Sequence, residues 1–359
     1  MDAPVRFFRF FRFFRRFPTP EEPDLRVFRT YVRKPLPSSP PGVPAYVAAM
    51  RRTVVDAGRP RWQGTPGRLE VHYLTATDTR SGTGLWIHHE VVAPTSDDAA
   101  YAHGWVALFP TDAAPSYERF GPVPATAAGD GTWARAGDAV LTATTATGRT
   151  TSISWDLAWR NDAAPLYTFP RWAWRRQVLP AAQVVPVPTA RVTGVVCGRP
   201  FDGDGGVAHI YGHGNAQRWA WLHADLEGGD VLELVAATAR RPAMRMLPPL
   251  PLVQLRVGGR DWPRDALAAA PLLRARIGVD EFAVRGVVGT QRLRVHVTLP
   301  RDRCVHVPYT DPDGATATCT NTERADVDID VSRLTAGGWR RTHEWQLDGT
   351  GHAEIGGRP

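Results

Sequence analysis

The 359-residue chain is too long for one ordinary hydrophobic core, so two domains are expected. Its 43% hydrophobic and 22% charged residues suit a globular protein, and no run approaches the roughly 18 uninterrupted apolar residues of a membrane-crossing helix. The net charge of +7 is concentrated: residues 1–35 carry nine basic and four acidic side chains (+5), which leaves +2 for the rest and argues against a nucleic-acid-binding body.

In chain order, the first segment repeats Arg-Phe-Phe from Arg6 to Phe17. On an α-helix a period of three drifts by about 60° per repeat, so the arginines form no single stripe. The segment reads as a disordered or loosely docked tail. Peripheral contact with an anionic membrane surface through residues 6–17 is the alternative, because Phe and Arg suit that interface. Pro35 to Pro44 reads as a stiff linker and Val43 to Gly58 as a helix that Gly58 ends. Strands follow at Arg68–Thr77, Gly84–Val92, Ala102–Phe109, Ala139–Thr145 and Thr150–Trp159. The proline-spaced stretch Leu179–Thr189 marks the expected domain boundary. Beyond it strands start near Val192, Val207, Arg218, Val231, Leu252, Glu281, Arg292, Cys304, Thr316, Ala325, His343 and His352, with one helix expected over Arg264–Ile277. The expected organisation is therefore a tail and linker (1–50) and two β-rich domains (51–185 and 186–359). The fold class is all-β with few helices, built as two antiparallel barrels or sandwiches side by side.

The three cysteines, Cys197, Cys304 and Cys319, form no CxxC pair, so a structural zinc site is not expected. They read as reduced thiols of a cytoplasmic protein. A bond between Cys304 and Cys319, which flank the turn Asp311-Pro312-Asp313-Gly314, stays open.

The most informative stretch is Tyr211-Gly212-His213-Gly214-Asn215-Ala216-Gln217-Arg218-Trp219-Ala220-Trp221-Leu222-His223. It begins as a polar, Gly-punctuated run and becomes a strand with Trp219, Trp221 and His223 on one face. Together with Ile153-Ser154-Trp155-Asp156-Leu157 and the terminal His352-Ala353-Glu354-Ile355-Gly356, it resembles the lipocalin-like superfamily that includes carotenoid 1,2-hydratases, tocopherol cyclases and AttH-type proteins. Decalin-forming pericyclases share that architecture. Where relatives often carry a Trp in the Gly-His-Asn segment, this chain has Gly214-Asn215-Ala216. The resemblance covers roughly residues 60–359. It implies two lipocalin-like barrels with a ligand cavity in or between them, an isoprenoid or polyketide substrate, and no metal or redox cofactor.

Protonating or cyclising an alkene needs an acid, a dry shaped pocket and aromatic faces. The catalytic candidates are His213, Glu90 and Asp156, with His89 and Glu118 as further acids. Trp86, Trp105, Tyr117, Trp155, Trp159, Tyr211, Asn215, Trp219 and Trp221 are the expected substrate-binding residues. Glu90 shares a strand face with Trp86 and His88, either a cavity wall or a solvated exterior. Phosphate loops, GxSxG elbows and HExxH motifs are missing. The leading reading is a cofactor-independent cyclase or hydratase of a hydrophobic small molecule. A non-catalytic carrier and a pericyclase remain as alternatives.

Overall fold

The computed structural model of the protein describes residues 53–358 except 127, 128, 130, 162, 177–180 and 242–244. The Arg-Phe-Phe repeat, the 35–44 linker and the start of the 43–58 helix lie outside the described residues, while 53–58 is helical. Almost everything else is antiparallel strand. The first sheet contains β1 (Arg68–Asp78), β2 (Gly84–Ala93), β3 (Tyr101–Phe109), β4 (Ser116–Pro124), β5 (Thr132–Ala136), β6 (Ala139–Thr142), β7 (Thr145–Arg149), β8 (Ser154–Arg160), β9 (Leu166–Tyr167), β10 (Ala181–Val196) and β11 (Arg199–Gly212). Its order is β4-β3-β2-β1-β11-β10-β8-β7-β6-β5, with β9 on β10. Because β5 returns to touch β2, β3 and β4, the sheet curls almost into a closed barrel. The second contains β12 (Arg218–Leu226), β13 (Asp230–Thr238), β14 (Leu250–Val257), β15 (Arg260–Trp262), β16 (Leu273–Ile277), β17 (Glu281–Val288), β18 (Gln291–Thr298), β19 (Val305–Thr310), β20 (Thr316–Thr335) and β21 (Gly338–Gly357). Its order is β15-β14-β13-β12-β21-β20-β18-β17-β16, with β19 on β20.

Period-two alternation explains why these segments become strands. In β8, Trp155, Leu157 and Trp159 are buried while Ser154, Asp156, Ala158 and Arg160 are exposed. Three buried layers result. Leu74, Ile87, Val106, Trp155, Leu157 and Val192 fill the first barrel. Leu222, Leu234, Phe282, Val295 and Ile329 fill the second. Between the sheets lie Trp86, Trp105 and Tyr73 from one side and Trp219, Trp221, Tyr309 and Cys319 from the other. Gly206 on β11 lets this layer close, since a Cβ there would sit 2.9 Å from the His223 ring.

Several expectations are corrected. Leu179–Thr189 does not separate the sheets: its residues from Ala181 onward belong to β10, and the chain changes sheet across 213–217, just after β11. Prolines are tolerated in β10 because the pairing breaks register there, between Val184 and Val187 and again before Ala190. The 264–277 helix is only a turn, Ala266–Ala269 followed by Ala270–Leu272, and Leu273–Ile277 is a strand. Pro271 and the alternation of Leu273-Arg-Ala-Arg-Ile277 favour the extended form. All three cysteines are free, and the register sets Cys319 opposite Val307 rather than Cys304. Among the described residues no helix is long and apolar enough to cross a membrane.

Candidate functional site

Antiparallel pairing of β1 with β2 sets His72 opposite His89 and Val71 opposite Glu90, and β1 with β11 sets His72 opposite His209. Glu70, His72, His89 and His209 therefore face into the first barrel, while His88 and Glu90 face the second sheet. A partly open cavity of about 180 Å³ is bordered by Trp62, Glu70, His72, His89, Glu90, His103, Trp133 and Arg135.

Beside this cavity is a cluster of buried polar groups without partners. His88, His89 and Glu90 are each at most 3% exposed. Among the described residues, neither carboxylate oxygen of Glu90 and no ring nitrogen of His88 or His89 makes a hydrogen bond. The nearest groups to Glu90 Oε2 are His103 Nε2 at 3.4 Å and His88 Nε2 at 3.8 Å. A buried polar atom left unpaired costs about 1–3 kcal/mol, so six on consecutive residues single out this run as the candidate site. The electrostatics agree. Burial, helped by the Asp311 carboxylate and opposed by Arg119, pushes the Glu90 carboxyl up to about 8. Burial takes His89 down to about 3, and burial followed by Arg119 takes His103 down to about 4. His88, stacked on Trp105 at 3.9 Å, is driven well below its ordinary range by burial and then by His103. Near neutral pH the cluster is therefore one protonated acid among neutral imidazoles.

A second buried group lies on the face that β12 turns to the first sheet. Glu233 accepts from Gln183 Nε2 at 2.5 Å and Trp221 Nε1 at 2.6 Å, and contacts His223 Nδ1 at 2.9 Å. His223 Nε2 is 3.5 Å from Asp225, and His352 bonds Glu323 at 2.6 Å. Trp219 Nε1 donates to Glu354 at 2.6 Å. Each indole of the Trp-x-Trp strand thus holds a buried carboxylate. A third group, Glu70, His72 and His209, secures the 53–58 helix. His72 Nε2 meets Gly58 O at 2.8 Å, His209 Nδ1 meets Ala57 O at 2.9 Å, and Glu70 accepts from the Arg61 and Trp62 amides. Burial lowers the pKa of His72 well below its ordinary range, with His209 adding to this.

The expected site residues do not converge on one pocket. Glu90 is buried at the cavity, neither solvated nor salt-bridged to an arginine. Asp156 is exposed outside the first barrel, while Trp155 and Trp159 sit in its core. His213 is exposed on the crossing between sheets, with Nε2 2.8 Å from Arg68 Nη1. Asn215 is tied to Asp311, its amide at 3.0 Å and its side chain at 2.8 Å. Glu118 bonds Ser152. Tyr211 packs with Trp62 and Trp174, and half-buried Tyr117 borders the layer between sheets. Trp86, Trp105, Trp219 and Trp221 form no cavity wall between the halves. Trp86 meets Trp105 edge-on at 5.3 Å, Trp105 meets Tyr309 at 5.2 Å, and Trp221 meets Tyr73 at 5.3 Å. Sequence reasoning missed Glu70, His72, Trp62 and Trp133. The one signal for the first two was a Glu-x-His pair at strand spacing in β1.

A family model described as "Tocopherol cyclase-like" matches residues 136–357. Uncharacterized proteins from two strains of Mycobacterium tuberculosis, CDC 1551 / Oshkosh and H37Rv, are 48% identical over 320 residues, covering 87% of this chain and 93% of theirs. Among solved structures, a putative AttH from Nitrosomonas europaea is similar with a TM-score of 0.52 at 14% identity, over 80% of this chain and 92% of that one. CghA, solved with Sch210972, gives 0.52 at 13% identity over 81% and 88%. Kievitone hydratase from Nectria haematococca gives 0.50 at 9% over 83% and 90%. These three likenesses concern the fold.

Proposed function

Since the chain belongs to the tocopherol cyclase-like family, we propose that it is an enzyme that protonates a carbon–carbon double bond of a polyene or isoprenoid-like substrate and so promotes its cyclisation or hydration. The observation that carries this reading is Glu90, an acid with no hydrogen-bond partner among the described residues, buried with its carboxyl turned toward the second sheet on a strand that borders the first-barrel cavity, and holding its proton to about pH 8. The carboxyl gives that proton to one alkene carbon. The neighbouring carbon becomes cationic and is captured by water, by a substrate hydroxyl or by a second double bond. Capture by water or a hydroxyl releases a proton, whereas capture by a double bond passes the cation on until an adjacent carbon loses a proton or water adds; in either case the released proton restores the acid. Trp62 and Trp133 border the cavity on the barrel side and Trp105 lies beside His88 on the Glu90 side, so that ring faces are at hand to stabilise the cation. His89 and His103, held neutral by burial, do not compete as charges. Ligand cavities usually exceed about 300 Å³, so this one accepts the reacting end of a chain rather than the whole molecule. No step in this scheme calls on a metal or redox group.

The test is turnover of a panel of acyclic polyenes and isoprenoids in D₂O. Wild-type protein is expected to give product carrying one new carbon-bound deuterium, with a rate that falls as pH rises through about 8. Glu90→Gln should bind the same compound within a few-fold and lose turnover by at least 100-fold. Product without deuterium would point to pericyclic chemistry, and binding without product to a carrier. Either outcome overturns the reading.

A further inference from the structure

We propose that Glu70, His72 and His209 form a binding site for a divalent metal ion of the zinc class, at the wall of the first-barrel cavity. The site is independent of the acid chemistry assigned to Glu90. Its ligating atoms all lie within 4.8 Å of one another, and the three residues are at most 4% exposed. Two imidazoles and one carboxylate are a donor set suited to such an ion.

The second observation is the hydrogen bonding behind the rings. A backbone carbonyl only accepts, so His209 Nδ1 carries a proton toward Ala57 O and His72 Nε2 carries one toward Gly58 O. This is the support that metal-bound histidines use to fix their tautomer. It leaves His209 Nε2 and His72 Nδ1 as the remaining nitrogens. His209 Nε2 stands 2.7 Å from Glu70 Oε1. That oxygen already accepts from the Arg61 amide at 2.6 Å. A lone pair against a carboxylate oxygen at this distance is repulsive, so a proton lies between them here, and a metal ion takes its place once the pair opens to about 3.4 Å. His72 stacks on His209 at 3.9 Å between ring centroids and brings a second nitrogen to the same place. Tetrahedral ligands about 2.0–2.2 Å from zinc are roughly 3.4 Å apart, so the widest separation closes with shifts of about 1 Å or less per side chain. Glu70 and His72 also border the cavity, so an ion there is within reach of a water or of an oxygen on a bound molecule.

The experiment uses the full chain, freed of metal by a chelator and titrated with Zn²⁺ and, as a spectroscopic probe, Co²⁺. One ion per chain is expected, with visible Co²⁺ absorption of low-coordinate N/O ligation, and a loss of affinity of at least tenfold in both Glu70→Gln and His209→Gln. Because these side chains also hold the 53–58 helix, wild-type protein is read separately by ¹⁵N NMR of its histidines: Zn²⁺ should shift His209 Nε2 and His72 Nδ1 and leave the two carbonyl-bonded nitrogens protonated. Absence of stoichiometric binding, binding unchanged in both variants, or a His209 ring that stays doubly protonated at saturating Zn²⁺ would show that a proton alone fills the gap, and the proposal would fall.

Discussion

At the scale of single residues, the site is organised by what is left unpaired. Glu90 was legible as a candidate because it shares a strand face with Trp86 and His88. Its environment was not, since strand parity says which residues share a face and not what covers that face. Here a second sheet covers it, and an acid that could have been solvated is desolvated instead. The thermodynamic sign follows. The folded protein favours the protonated form, with a value near 8 against 4.5 for a free side chain. The contribution of Glu90 is intact below pH 4.5 and lost as pH rises through about 8. At pH 7 the linkage amounts to roughly 3 kcal/mol. Besides Asp311 and Arg119, the charged or titratable groups facing Glu90 are His88 on its own strand, His103 and Tyr101 on β3, and Tyr309 on β19 of the second sheet. Replacement of Glu90 by Gln is therefore expected to stabilise the protein, by more at pH 8.5 than at pH 5.5, in urea unfolding read by tryptophan fluorescence. An equal difference at both pH values would count against the assignment.

At the scale of elements, the Gly-His-Asn segment shows how a motif can be found and its role misread. Its glycines and polar residues suggested a pocket wall. In the structure they form the crossing from β11 to β12, and Asp311 in the β19–β20 turn clamps it. Asp311 accepts from Asn215, from Arg240 at 3.1 Å, and from Arg358. Nothing local in the sequence links position 311 to position 215, so this contact was not readable. The Trp-x-Trp strand was placed correctly, yet its indoles donate to Glu233 and Glu354 instead of facing a ligand. Asp311→Ala is expected to cost roughly 3 kcal/mol by leaving Arg358 without its carboxylate and the Asn215 amide without its acceptor, while Arg240 keeps Asp313 at 2.6 Å. The measurement is a thermal melt against wild type, and a change under about 0.5 kcal/mol would show the crossing to be held by other contacts.

At the scale of the whole molecule, the all-β class and the two antiparallel sheets were legible from strand spacing and turn residues. The change of sheet was not. The prolines in 179–189 read as a domain boundary, whereas broken pairing registers accommodate Pro186 and Pro188 within β10, and the actual crossing is five residues with no proline. A cavity was expected in or between the barrels; aromatic packing fills the layer between them, and the pocket lies at the first barrel. The shared layer of Trp86, Trp105, Tyr309, Trp219 and Trp221 makes each barrel part of the other's core. Chemical denaturation is accordingly expected to give one transition, coincident by far-UV circular dichroism and fluorescence. Two separated transitions would show that the layer contributes little. The central claim is that Glu90 stands protonated at neutral pH beside the cavity. It is tested most directly by the infrared difference spectrum between wild type and Glu90→Gln: a protonated-carboxyl C=O band present at pH 7 and titrating away near pH 8 is predicted, and a Glu90 signal already ionised at pH 6 would contradict it.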